Sequence, residues 1–221
     1  MNDILKGFLT ILLSAAVPAG IGMGVGAALG GLDGLWIGAL IGGVPGLLYG
    51  LEAGILLAYD LGTGRGWLEI LVDLTWSLPN TLFGLIFGNA IYVFVGSPSR
   101  ERSRGQGWIV FMPPATKTSG FGVDVLQTLG SVNLGGRGAH EHVHLLQARI
   151  FGPLFLPIFG LNYVVNFLLQ GLFTITIGAI LKAAGARDTA WFRPPGTSVV
   201  PGFFGWIYAA TLFEIWAYAT E

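Results

Sequence analysis

The chain contains no cysteine and little charge. Without cysteine there are no disulfides and no thiolate metal ligands. Asp, Glu, Lys and Arg supply 10% of 221 residues against 53% hydrophobic, with a mean hydropathy of +0.70. That is too little polar surface to coat a water-soluble globule of this size, so the sequence reads as an integral membrane protein with the lipid bilayer as its surroundings. A net charge of −1 offers no electrostatic footprint for nucleic acid. Histidine is also scarce, and all three copies fall within five consecutive positions, 140 to 144.

The few charges are unevenly placed. None occurs between Lys6 and Asp33, Asp33 and Glu52, Asp73 and Arg100, Arg149 and Lys182, or Arg193 and Glu214. A bilayer core takes about 20 apolar residues of helix, and each gap is near or above that length, which predicts about five transmembrane helices. The first apolar run continues past the length of a signal peptide to Gly30 and is expected to be a retained helix.

Residues 1–65 carry a glycine ladder. Gly34, Gly38, Gly42, Gly46, Gly50 and Gly54 recur at a spacing of four, as do Gly22, Gly26 and Gly30 on the preceding segment. Positions four apart drift slowly round a helix, so the ladder makes a smooth groove where another backbone approaches closely. With a turn at "GGLDG", this predicts a glycine-zipper helical hairpin. Glu52 inside it must be paired, wet or interfacial, and Tyr59 and Asp60 close behind favour the interface. Residues 66–96 read as an interfacial helix, "GWLEILVDLTWSL", and a third span from Pro79 to about Val95.

From 97 to 136 the pattern changes to a polar, basic loop and two predicted strands, "WIVFM" and "VDVLQTLGSVNL", within 108–134. A small extramembrane β element is expected there. A helix over 138–150, a span over 154–181 and a final helix over 202–220 complete a third unit, 97–221. The fold class is therefore mainly α, with a small β element beside the helix that carries the histidines.

His140, Glu141, His142, Val143 and His144 match H-E-x-x-H. On a helix, His140 and His144 lie one turn apart and reach the same ion, while Glu141 sits about 100° round, placed to act on a metal-bound water without ligating the metal. His142 points roughly the other way and is given no metal role. Catalytic zinc takes three protein ligands and a water. With no other histidine and no cysteine, the third must be a carboxylate, and Asp124, Asp188, Glu214 and Glu221 are candidates. Two antiparallel crossings return Glu214 to the leaflet of the histidines and strand Asp188 opposite, which favours Glu214. "FEIWAYA" also places that acid in E-x-x-A form, with small Ala217 one turn on.

H-E-x-x-H followed by E-x-x-A on a later helix resembles the gluzincin arrangement of membrane-embedded zinc metallopeptidases. "HEHVHLLQARIFGPLFLPIF", "DLTWSLPNTLFG", "QGWIVF", "TLGSVNLGG" and "LFEIWAYATE" are similar to a bacterial integral-membrane protein family with a His-Glu motif, then Gln, then Gly-Pro-Leu. The resemblance implies Zn2+ held by His140, His144 and Glu214, Glu141 as general base, a peptide substrate, and residence in a bacterial inner membrane. It departs from soluble relatives at Tyr218, where an Asp commonly follows E-x-x-A, and this removes an expected support for a ligating histidine. Arg137 and Arg149, near the motif, are candidate oxyanion donors or interfacial anchors. The glycine ladder, with Asn162, Asn166 and Gln170 at a spacing of four, suggests the alternative of a non-catalytic accessory subunit, or a homo-oligomer, packed through its helices.

Overall fold

A computed structural model describes residues 1–112, 127–135, 138–186 and 203–220. Helix α1 (Asp3–Ile55) starts at Asn2, whose side chain accepts from the Leu5 amide at 2.9 Å. Its helical geometry fails at Gly30 and Gly31, where Gly31 has φ +61°, a value that glycine adopts without the strain of a Cβ. The chain doubles back there. The two arms then run side by side so closely that a Cβ on Gly38 would stand 1.9 Å from the Gly22 carbonyl oxygen, and one on Gly26 2.0 Å from that of Gly34. The hairpin ends on Gly7 against Gly54. The ladder's groove is thus filled by the chain's own second arm.

The hairpin base feeds the main core. Tyr49, Ala53 and Tyr59 pack with Ile70 and Leu74 of α2 (Gly64–Leu74) and with Tyr92, which ends the run α3 (Leu78–Phe83), a π-helical turn (Gly84–Gly88) and α4 (Asn89–Tyr92). Glu52 accepts a hydrogen bond from Asn89 on α4, so this acid is paired inside the fold.

Strand β1 (Ser97–Pro98), the short α5 (Arg100–Ser103), β2 (Ile109–Met112), β3 (Gln127–Leu129) and β4 (Val132–Leu134) follow. The sheet order is β1-β2-β4-β3, with β2 and β4 parallel (Ile109 opposite Val132) and β3 and β4 antiparallel (Thr128 opposite Asn133). The expected second strand is therefore, in its described part, a tight hairpin turning at Gly130. Its turn is pressed onto α3, where a Cβ on Gly130 would lie 1.9 Å from the Asn80 carbonyl oxygen.

Helix α6 (Ala139–Phe151) stops at Gly152, with φ +53°. A 3-10 turn (Gly152–Leu154) leads into α7 (Phe155–Phe173), a π-helical turn (Thr174–Gly178) and α8 (Ala179–Ala183). The break is held from α3: the Asn80 side-chain amide donates to the carbonyls of Gly152 (2.7 Å) and Ala148 (3.1 Å), and the Ser77 hydroxyl donates to Ala148 (3.0 Å). Orphan carbonyls at a helix end are thereby satisfied. Of the polar row on α7, Asn166 and Gln170 are buried by the chain itself, and α9 (Phe203–Ala209) packs on this helix.

The expectation of about five spans is not supported. Among the described residues two helical stretches, Asp3–Ile55 and Ala139–Ala183, are long and apolar enough to cross a membrane. Gly64–Leu74 with Leu78–Tyr92, bent by 79°, makes a third if the pair counts as one broken span. Freedom from charge marks where lipid is tolerated, but crossing also needs unbroken length. Leu78–Tyr92 rises only about 22 Å at 1.5 Å per residue, short of a core of about 30 Å. The expected final helix is two short ones, α9 and α10 (Leu212–Tyr218), separated at Ala210 and Thr211.

Candidate metal centre

Helix α6 carries the H-E-x-x-H residues on the face turned to α10. His140 Nε2 lies 3.0 Å from Glu214 Oε2, His144 Nε2 lies 3.1 Å from Glu214 Oε1, and the two ring nitrogens are 3.1 Å apart. His140, His144 and Glu214 form a group able to hold a metal ion, with ligand atoms all within 4.8 Å of one another. Ligands 2.0–2.1 Å from a tetrahedral zinc are about 3.3 to 3.4 Å apart, so the donor set closes on a zinc-sized space with little adjustment. Burial would raise the Glu214 carboxyl, but hydrogen bonds from His140, His144 and Tyr208 outweigh it and bring the pKa down to about 2. The third ligand position is thus occupied by a carboxylate.

Glu214 returns to the histidines alongside α7, with Phe203 packed on Phe167 and Phe213 on Phe155 and Phe159. Thr211 caps α10, its hydroxyl accepting from the Glu214 amide at 3.4 Å, which puts Glu214 in the first turn of a new helix. "TLFE" is a capping-box sequence. In the usual box the acid reaches back to its own helix start; this one turns to the histidines instead.

His144 is oriented from behind. Its Nδ1 is 2.8 Å from Gln147 Oε1, and the Gln147 side-chain amide donates to the Phe213 carbonyl at 2.8 Å. One fully buried glutamine therefore fixes the His144 tautomer, leaving Nε2 able to take a metal ion, and ties α6 to the residue before Glu214. Gln147 is the Gln that follows the His-Glu motif in the sequence pattern, and its place one turn beyond His144 on the same helix face is the signal for this role. Tyr218, standing where soluble relatives have Asp, lays its ring edge-on to His140 with centroids 4.5 Å apart. It supports that imidazole by contact.

Glu141 is 5% exposed, and one of its carboxylate oxygens, Oε2, is buried with no hydrogen-bond partner among the described residues. The Thr128 hydroxyl on β3 donates to the Glu141 backbone carbonyl at 3.2 Å. Glu141, His144, Glu214 and Tyr208 all line one cavity of about 400 Å³. His142 lies away from the cluster, its ring edge-on to Trp108 at 5.0 Å.

Arg149 is committed elsewhere. It donates twice to Asp73 (2.9 and 2.7 Å) and once to the Gly107 carbonyl (2.7 Å), and it sits 3.3 Å from Glu69. Asp73 also accepts from Tyr59, whose hydroxyl is 2.5 Å from that of Tyr49. This buried chain anchors α6 to α2 and to the hairpin base. Arg137, Asp124, Asp188 and Glu221 lie outside the described residues.

No family model, no curated protein and no solved structure matches the chain.

Proposed function

We propose that the chain is a membrane-embedded zinc metallopeptidase, with His140, His144 and Glu214 as zinc ligands and Glu141 as general base. The observation that carries this reading is the His140, His144 and Glu214 group beside a cavity that His144, Glu214 and the buried carboxylate of Glu141 line. A purely structural zinc site is closed by four protein ligands, whereas three ligands beside a cavity leave a position open. Zinc held there supplies Lewis acidity, which makes water nucleophilic near neutral pH.

The residues divide the rest of the work. As water adds to the scissile carbonyl carbon, Glu141 takes a proton from it and passes that proton to the amide nitrogen as the carbon–nitrogen bond breaks. Gln147 keeps His144 from turning, and the apolar cavity walls keep bulk water from the base. The bacterial inner membrane is the setting the sequence resemblance implies. The rival reading, an accessory subunit docked through the glycine ladder, loses its main motive because that groove packs within the chain.

The test is zinc content and hydrolysis of a quenched fluorogenic peptide with apolar residues on both sides of the scissile amide, by protein purified in detergent with zinc supplied. Wild type is expected to hold about one zinc per chain. His144→Ala is expected to lose it, and Glu141→Gln to keep it while hydrolysis falls by about a hundredfold or more. Wild-type protein that holds no zinc, or a Glu141→Gln variant as active as wild type, refutes the proposal.

A further inference from the structure

The cavity beside the metal group extends well past the reach of the ligands, and its walls are of one kind. Phe83, Phe87 and Ile91 form one wall, and Phe155, Leu156 and Phe159 another; among the described residues no lysine or arginine lines it. The first wall belongs to the broken helical pair and the second to the start of α7, the helix that continues into a membrane-crossing stretch. Phe87 and Ile91 are nearly half exposed, at 48% and 46%, so outward apolar side chains of the broken helical pair form the rim. The mouth therefore opens on an apolar surface. At the polar end stands the buried carboxylate of Glu141, whose Oε2 has no hydrogen-bond partner among the described residues.

These features select an occupant. A soluble polar segment would have to leave water to enter an apolar slot reached through apolar surface, which is costly for each unpaired polar group. An acyl chain fits the walls but brings no donor to the Glu141 oxygen. A peptide segment with bulky apolar side chains does both: its side chains fill the walls and a backbone N–H meets the buried carboxylate. We infer that the site takes its substrate laterally from the bilayer, as an apolar peptide segment whose side chains next to the scissile amide occupy the Phe83–Phe159 cavity. This rests on the peptidase reading only for the fate of the amide; the binding of the segment stands separately.

The experiment therefore reads binding. Zinc-loaded protein in phosphatidylethanolamine–phosphatidylglycerol nanodiscs is irradiated with an apolar transmembrane peptide that carries a photoreactive phenylalanine analogue. Crosslinks are expected at residues 83–91 and 155–159. Leu156→Trp, which fills the cavity, and Ile91→Trp, which adds bulk at the exposed rim where folding tolerates it, are each expected to cut the yield at least tenfold with zinc content unchanged. An analogue with an ester in place of the amide next to the probe is expected to crosslink several-fold less. Crosslinks spread over Leu161 and Leu168, exposed on α7, and unaffected by Ile91→Trp overturn the inference. So does a photoreactive fatty acid that labels the cavity as well as the peptide does, which would assign the space to lipid. Cavity crosslinks from a wild-type protein that cleaves nothing sink the peptidase reading and leave this one; cleavage of the fluorogenic peptide without cavity crosslinks does the reverse.

Discussion

The glycine hairpin and the metal centre are held together in opposite ways. In the hairpin, contact is between backbones: Gly22 against Gly38, Gly26 against Gly34, Gly42 against Pro18, each pair one turn from the next. In the metal centre it is between side chains brought from afar, His140 and Glu214 being 74 positions apart and Gln147 and Phe213 66. A repeated local spacing builds the first region, and any one of its rungs resembles its neighbours. Single residues without substitutes build the second. A side chain added to the hairpin should therefore do the most harm, and a side chain altered in the centre should harm function before fold.

The largest effect expected is from Gly38→Leu. Its Cβ alone would stand 1.9 Å from the Gly22 carbonyl oxygen and 2.6 Å from the carbon, backbone atoms that move only if the arms part. Overpacking of a well-fitted core costs about 1–3 kcal/mol and sometimes more. Here the displaced arm also carries Tyr49 and Ala53 out of the main core. Loss of a cooperative thermal transition in detergent is the expected result. A transition at the wild-type temperature would mean that the arms do not pack through this face.

Next comes the buried chain that links the two regions. Arg149→Met leaves Asp73 buried without its cation, while Glu69 keeps Arg65 at 2.8 Å, and removing one partner of a buried pair costs about 3–5 kcal/mol. Pairing it with Asp73→Leu removes the stranded charge, and the double variant is expected to recover part of the loss. Chemical denaturation of the single and double variants measures this. A single variant within about 0.5 kcal/mol of wild type would show the chain to be ornamental to stability.

How far each region can be read from the sequence follows from the same contrast. The hairpin is legible because its rule is periodic: glycine every four residues, broken once at Gly30 and Gly31. The histidine pair is legible because H-E-x-x-H is itself a helix-surface spacing. Glu214 is legible by counting ligands and acids and by its return alongside α7. The break before it is less so: the Thr211 cap is present in "TLFE" but is overshadowed by the apolar run around it. The break at Gly152 is legible as the gap between the helix over 138–150 and the span over 154–181, but what supports it is not: a Cβ there would strike the Trp76 ring at 2.3 Å, and Asn80 collects the freed carbonyls. Gln147, Thr128 and Tyr208 acquire roles only once α6, β3 and α9 meet.

Gln147→Leu sharpens the comparison by changing the centre without touching the hairpin. The substitution keeps the volume close to constant but frees the His144 ring and cuts the tie to the Phe213 carbonyl. Loss of such a support typically costs 10–100-fold in metal affinity. Zinc competition with a chelator is expected to show that loss. The metal-free protein should unfold only slightly earlier than the metal-free wild type, because the hydrogen bonds it loses join His144 and α10 to α6 rather than the hairpin to the main core. Unchanged zinc affinity would mean that His144 needs no help in keeping its orientation.

The smallest expected effect tests the hairpin's face against its back. Gly24 lies between Gly22 and Gly26 in sequence but is exposed, with nothing within 4 Å of the place a Cβ would take. Alanine there meets no backbone, restricts the unfolded chain and suits a helix better than glycine by about 0.5–1 kcal/mol. Gly24→Ala is therefore expected to raise the thermal midpoint by a few degrees at most, while Gly22→Ala, whose Cβ would stand 2.0 Å from the Gly38 carbonyl oxygen, lowers it. Opposite signs two residues apart are what a packed groove requires, because direction round the helix, rather than glycine content, sets the outcome. If both substitutions destabilise alike, the segment needs its glycines for flexibility or for contacts with another chain, and close approach of the two arms is not what the spacing of four encodes.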